Sequence, residues 1–242
     1  MIDLRNLTLP LSNDYHPQKQ QTLSFRLETG KHYWLVGPPE SGKTSLLDIL
    51  ALRRRFLSGQ LSMFGFDIDK KTASRTLSLL RARTGYIPDQ PEFIENWTLF
   101  DNVALPLRLN QYDRRTILRD TTSILKWLSL DDEAQNVPAR LSHTERIKLA
   151  VARALVTRPA LLLIDKLAFS LNLSLRDKLI LLLKDMVTTG KTTIVTATDK
   201  TDITTLLPAP LLTLPLLSGT TTPSAPSSTT DMEPLTPLAA RR

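Results

Sequence analysis

The chain has 242 residues, 41% of them hydrophobic, and a formal net charge of +7. That length suits one α/β domain with a real core, and no run of about 18 apolar residues free of charge or proline is present to span a bilayer. With no cysteine the chain has no disulfide or thiol chemistry, which fits a reducing compartment; His16, His32 and His143 lack metal-ligand spacing; and MIDLRNLTLP is not a charged leader before an apolar run. The basic residues, among them Arg53, Arg54, Arg55, Arg81, Arg83, Arg114 and Arg115, fall in no aromatic-interleaved patch or nucleic-acid motif. No nucleic-acid partner is expected, and the positive charge reads as a solvated face or as attraction to an acidic partner or membrane surface.

In chain order, residues 23–28 (LSFRLE) alternate apolar and polar, as a half-exposed strand does, and Gly30 ends them. Residues 32–36 form a short apolar-aromatic run the size of a buried strand, and residues 43–52 carry a helical period through Leu46, Leu47 and Leu50. Gly59 and Gly65 bracket a strand at 60–64, and a helix is predicted over 141–155. Residues 160–164 are continuously apolar, which predicts a central parallel strand. Ser174, with Asp177 three residues on, is expected to cap a helix running to Val187; Gly190 stops it, and the β-branched stretch 192–196 is a strand. This alternation predicts an α/β fold, a mixed or parallel sheet with helices packed around it. From Ser218 onward Ser, Thr and Pro dominate, so residues 1–217 are expected to fold and 218–242 to form a disordered tail.

Residues 37–45 read GPPESGKTS and satisfy G-x-x-x-x-G-K-[ST], the pattern of a P-loop. Phosphate oxygens need many donors in a small volume, and a loop between strand and helix turns its backbone N–H groups inward while the helix N-terminus adds its dipole. Gly37 and Gly42 let the backbone close; Pro38, Pro39, Glu40, Ser41 and Ser45 complete the loop. Lys43 is expected to reach the β- and γ-phosphates and the Thr44 hydroxyl to bind Mg²⁺. The chain has only eight glycines, and two stand at the two required places.

The order of the remaining landmarks resembles the ATP-binding domains of the ABC family over residues 1–217. Gly85-Tyr-Ile-Pro-Asp-Gln90 looks like the glutamine-loop strand, with the glutamine slot on Asp89 and Gln90 beside it. Residues 98–107 resemble the start of the helical subdomain, placed at roughly 90–155. Leu141, Ser142, His143, Thr144 and Glu145 look like the signature segment, and Leu161-Leu-Leu-Ile-Asp165 looks like Walker B, ending in the magnesium-directing Asp165. Tyr15 is similar to the aromatic that stacks on adenine, or is surface packing. The resemblance implies a P-loop NTPase fold, ATP and Mg²⁺ as ligands, an ABC-type dimer or homodimer, and a cytoplasmic place on the inner face of the membrane beside an integral membrane subunit. The phrases LSMFGFD (61–67) and DNVALPLRL (101–109) are most similar to FtsE, which implies a role in cell division or envelope remodelling with an FtsX-like permease; the lipoprotein-release and macrolide-exporter ATPases are similar alternatives. A soluble P-loop kinase would leave residues 141–165 unexplained. Phe93, Ile94 and Trp97 are expected either to form an apolar patch where the partner docks or to pack internally.

Several landmarks depart from the family pattern. Lys166 stands where the resemblance implies a glutamate acting as general base, Thr198 where it implies the switch histidine, His143 and Thr144 where it implies glycines, and Asn172 where the pattern has Leu-Asp. With Asp89 in the glutamine slot, the cradle is intact while the catalytic positions are altered together. Either hydrolysis is largely lost, or substitutes act in an unfamiliar way, or a different partner subunit supplies the lost groups. Lys166 is expected to pair with Asp165 or with a phosphate.

Overall fold

The structure is a computed structural model that describes residues 1–10, 20–166, 173–199, 204 and 208–214. Tyr15, the Leu171-Asn172 pair and residues 218–242 lie outside the described residues. In chain order the elements are β1 (Ile2–Pro10), β2 (Gln20–Leu27), β3 (His32–Val36), α1 (Lys43–Leu50), β4 (Ser58–Met63), β5 (Phe66–Ile68), α2 (Ser74–Ala82), β6 (Thr84–Ile87), α3 (Leu99–Leu109), α4 (Arg114–Trp127), α5 (His143–Leu155), β7 (Leu161–Asp165), α6 (Leu173–Thr188), β8 (Thr193–Thr198) and β9 (Leu211–Thr213).

The expected parallel sheet is present, and a second, antiparallel sheet accompanies it. A five-stranded sheet runs β6-β7-β8-β3-β9 with every neighbouring pair parallel. A four-stranded antiparallel sheet runs β2-β1-β4-β5. Strands β3, β7 and β8 are buried along their whole length, because both faces of the parallel sheet are covered. Their side chains alternate between two cores. Trp34, Val36, Leu162, Ile164 and Ile194 join the core shared with α3, α4, α5 and α6. Tyr33, Leu35, Leu161, Leu163, Val195 and Ala197 join the core shared with α1 and the antiparallel sheet. Thus the apolar run at 160–164 is the strand that was expected, between β6 and β8.

Three boundaries differ from the sequence reading. The helix expected to open at Ser174 is α6, which starts one residue earlier at Leu173. Gly59 lies inside β4 rather than before it, with a positive φ where the strand passes Asn6 and Leu7. The helix expected from Leu141 starts at His143, and Ser142 caps it. No described helix is long and apolar enough to cross a membrane.

The helices over 99–155 begin at well-made caps. Thr98 Oγ1 accepts from Asp101 N at 3.0 Å and opens α3. Buried Asn102 then ties the preceding loop to the helix: its amide donates to the carbonyls of Ile94 (3.1 Å) and Thr98 (3.0 Å), and its carbonyl accepts from Ile94 N at 2.9 Å.

Candidate nucleotide site

Parallel pairing brings the carboxyl ends of β3, β7 and β8 to one edge, with Val36 opposite Thr198 and Asp165 opposite Ala197. In open α/β sheets this edge is where ligands bind. From β3 the chain turns through residues 37–42 into α1. A Cβ on Gly37 would stand 2.6 Å from Ser41 Oγ and 2.7 Å from the Leu214 carbonyl, so the loop closes only around glycine. Gly42 sits at φ 88°, a left-handed conformation that glycine takes without strain, and it caps α1 with no side-chain bond. The first-turn N–H groups of α1 therefore have no capping side chain and face the loop with the positive end of the helix dipole. Ser41 N donates to Pro38 O at 3.3 Å, and Glu40 lies at φ 62°. Ser45 faces away from the cradle and accepts from Arg54 at 3.0 Å.

Lys43 is 3% exposed and folds back over its own loop. Its Nζ donates to Gly37 O (2.7 Å), Pro38 O (2.6 Å) and Ser41 Oγ (3.2 Å), and pairs with Asp199 Oδ1 at 2.7 Å. Thr44 Oγ1 donates to Asp165 Oδ2 at 2.7 Å. The other Asp165 oxygen, Oδ1, is buried with no hydrogen-bond partner. Burial raises the Asp165 carboxyl above the ordinary carboxylate range, against the opposing effects of the Thr44 hydrogen bond and the Lys166 charge. Of the two partners expected for Lys166, Asp165 is not the one it pairs with; its ion pair is with Asp199. Lys166 follows β7 at φ 51°, donates its N–H to Ala197 O at 3.2 Å, and places Nζ 3.7 Å from Asp199 Oδ2. The left-handed turn directs the side chain across to the end of β8 instead of along β7.

The negative charge of Asp89 adds slightly to the upward shift of the Asp165 carboxyl. Gln90 lines a cleft of about 440 Å³ with Arg53, Arg81, Tyr86, Glu92 and Arg153. Through Arg81, Tyr86 and Arg153 the cleft continues toward Pro106 and Leu109 of α3. Burial pushes the Arg153 guanidinium down to about 10, and nearby Arg53 adds to the effect. Arg153 and Arg146 both stack on the Phe93 ring, at 4.6 and 5.1 Å from its centre. Phe93 is therefore held internally, while Ile94 and Trp97 are 39% and 38% exposed. In the signature-like segment, Leu141 is buried, and Ser142 and Glu145 form a reciprocal capping box: Ser142 N donates to Glu145 Oε2 at 2.8 Å and Ser142 Oγ to the same oxygen at 2.7 Å. His143 and Thr144 occupy the first turn of α5, so this stretch presents side chains rather than bare backbone.

The profile of the ABC transporter family matches residues 20–167. The chain belongs to the ABC transporter family. This ABC domain is 33% identical over 170 residues to the molybdate/tungstate import ATP-binding protein WtpC of Pyrococcus horikoshii, covering 70% of this chain and 48% of that protein. It is 30% identical over 192 residues to the methionine import ATP-binding protein MetN of Vibrio vulnificus, covering 79% of this chain and 55% of that protein. The chain spans about half the length of these curated relatives. Its fold matches a dimeric ATP-binding cassette solved with ADP and Pi, at a TM-score of 0.77 and 22% identity over 88% of this chain and 94% of the other.

ABC ATPases as a family bind ATP and use Mg²⁺. The donor set of this ABC domain fits both. Gly37 leaves room that any Cβ would fill, and the buried, unpartnered Asp165 Oδ1 beside the Thr44 hydroxyl is an acceptor suited to a hard cation. Sequence reasoning missed Asp199 as the partner of both lysines and Arg153 as the buried cation of the cleft. The only signal for Asp199 was its place after Thr198 at the end of a strand.

Proposed function

We propose that this chain is the ATP-binding subunit of an import-type ABC transporter, that it couples nucleotide state to a membrane permease, and that it hydrolyses ATP weakly. The observation that carries the reading is the Thr44–Asp165 bond of 2.7 Å beside the intact glycine cradle. In this reading the loop N–H groups of residues 37–45 and Lys43 hold the phosphates, and Thr44 and Asp165 hold Mg²⁺. When bound, Mg²⁺ neutralises charge on the β- and γ-phosphate oxygens. An import role is supported by the names of the relatives MetN and WtpC. The finer FtsE-like reading, with cell division and an FtsX-like permease, rests on residues 61–67 and 101–109 alone and has no support from these relatives.

Weak hydrolysis follows from Lys166. An ammonium has three donors and no acceptor, so it cannot take the proton of an attacking water, and a lost general base typically costs about 10²–10⁴-fold in rate. The test is phosphate release at saturating ATP. Wild type is expected well below about 1 s⁻¹, the low end of ordinary enzyme rates, and Lys166→Glu is expected to raise turnover incompletely, because Thr198, His143 and Thr144 remain. Wild-type turnover at or above that rate, abolished in Lys43→Ala, would show that the substitutions are working replacements. ATP binding is tested separately by calorimetry, where Lys43→Ala must weaken affinity several-fold or more. Equal affinity in the two proteins would sink the nucleotide site.

The permease is assigned to the cleft lined by Arg53, Arg81 and Arg153. Its arginines favour a partner segment bearing a carboxylate, and Ile94 and Trp97, a few residues beyond the cleft-lining Glu92 in sequence, are exposed apolar side chains that such a partner would cover.

A further inference from the structure

We propose that Lys166 is a second phosphate-binding lysine, which with Lys43 grips the terminal phosphate of a nucleoside triphosphate on a seat marked here by the Asp199 carboxylate. This inference rests on nucleotide binding at residues 37–45.

The Asp199 carboxylate is shared between two ammonium groups, with Oδ1 2.7 Å from Lys43 Nζ and Oδ2 3.7 Å from Lys166 Nζ. The other partners of Lys43 are neutral oxygens of its own loop, so among the described residues Asp199 supplies its one full negative charge. A terminal phosphate likewise offers several oxygens to cations on different sides, and it carries more charge than one carboxylate. Phosphate reaching Lys43 must therefore compete with Asp199 for the same ammonium, and two anions on one buried cation repel each other.

Lys166 is already placed to follow that exchange. Its left-handed backbone at φ 51° and its N–H bond to Ala197 O turn the side chain over the sheet edge toward Lys43. Its pair with Asp199 is loose, at 3.7 Å with both side chains partly exposed (34% and 28%), so little is lost when it trades a carboxylate for a phosphate. A diphosphate would engage Lys43 but leave Lys166 on Asp199. A triphosphate would engage both. Lys166 is thus a determinant of triphosphate over diphosphate specificity at a position where it cannot serve as base.

The experiment is calorimetric titration of the intact protein with the β,γ-imido analogue of ATP and with ADP, both with Mg²⁺. Lys166→Gln is expected to weaken the triphosphate about tenfold, the worth of one charge-assisted contact, and ADP by less than about twofold. Lys166→Arg keeps the charge and is expected to retain most of the preference. Asp199→Asn removes the competing carboxylate and is expected to tighten the triphosphate several-fold. An unchanged triphosphate affinity in Lys166→Gln, an equal loss for both nucleotides, or weaker triphosphate binding in Asp199→Asn would overturn the proposal. If wild type binds neither nucleotide, the nucleotide site itself fails; if it binds both and the preference ignores residue 166, only this inference fails.

Discussion

His32 opens β3 inside the molecule, 3% exposed, edge-on to Trp34 and with Nε2 3.1 Å from Thr196 Oγ1. Burial lowers its pKa from 6.5 to about 4. The folded protein thus holds it neutral while the unfolded chain protonates it. The stabilisation is complete above pH 6.5 and is lost as pH falls toward 4, with a size of about 3 kcal/mol. His32→Gln is expected to shrink the stability difference between neutral pH and the acid end of that window, as read by denaturant unfolding. Asp165 has the opposite sign. Its carboxyl is raised in the folded state, so the ionised form is a cost there; stability falls as pH rises from the ordinary value of 3.8 through the higher folded value. Asp165→Asn is expected to raise the nucleotide-free melting temperature at neutral pH, and the gain should vanish below the ordinary value. Adding Mg²⁺ and ATP should reverse the order of the two proteins.

Among the elements, α3 depends on Asn102, whose side chain bonds to the backbone of Ile94 and Thr98. Asn102→Ala leaves buried backbone groups without partners, and the expected loss is about 3 kcal/mol by denaturant melts. A change below about 0.5 kcal/mol, the usual range of surface substitutions, would mean that the loop holds without it. What the sequence made visible among the elements follows from the same physics. Strands β3, β7 and β8 have both faces covered, so they read as unbroken apolar or β-branched runs. Strand β1 was not visible because its inward residues change phase: Ile2 and Leu4 are buried, then Leu7 and Leu9, with Asn6 at φ 48° and a register shift between them. Strand β9 has three residues, too few for a period. The site divides in the same manner. The cradle is one contiguous stretch joined to a strand and a helix, so its spacing shows it. The sharing of Asp199 by Lys43 and Lys166 depends on a left-handed turn after β7 and on strand order, neither of which local spacing encodes.

At the scale of the whole molecule, the nucleotide edge and the arginine-lined cleft are close to each other through residues 89 and 90, since Asp89 acts on Asp165 while Gln90 lines the cleft. If the permease docks at this cleft, residues 89 and 90 are the short segment that would connect it to Asp165. Trp97→Asp, an exposed position, is expected to leave the melting temperature nearly unchanged and to reduce retention on membranes that hold the permease. Retention equal to wild type in a folded Trp97→Asp protein would remove Trp97 from the docking surface. Retention should also weaken with added salt if arginines meet a carboxylate there. The alternation of side chains between two cores has a further consequence. A shift of one residue in β7 or β8 would exchange the contents of both cores at once, so position along these strands is a discrete quantity. Val36 is held level with Thr198, and Asp165 with Ala197, by that constraint. Insertions and deletions in these strands are thereby closed to the chain, and side-chain replacement is the open way to change its chemistry. A lysine stands at 166 and a threonine at 198 where strands β3, β7 and β8 pair without a register shift.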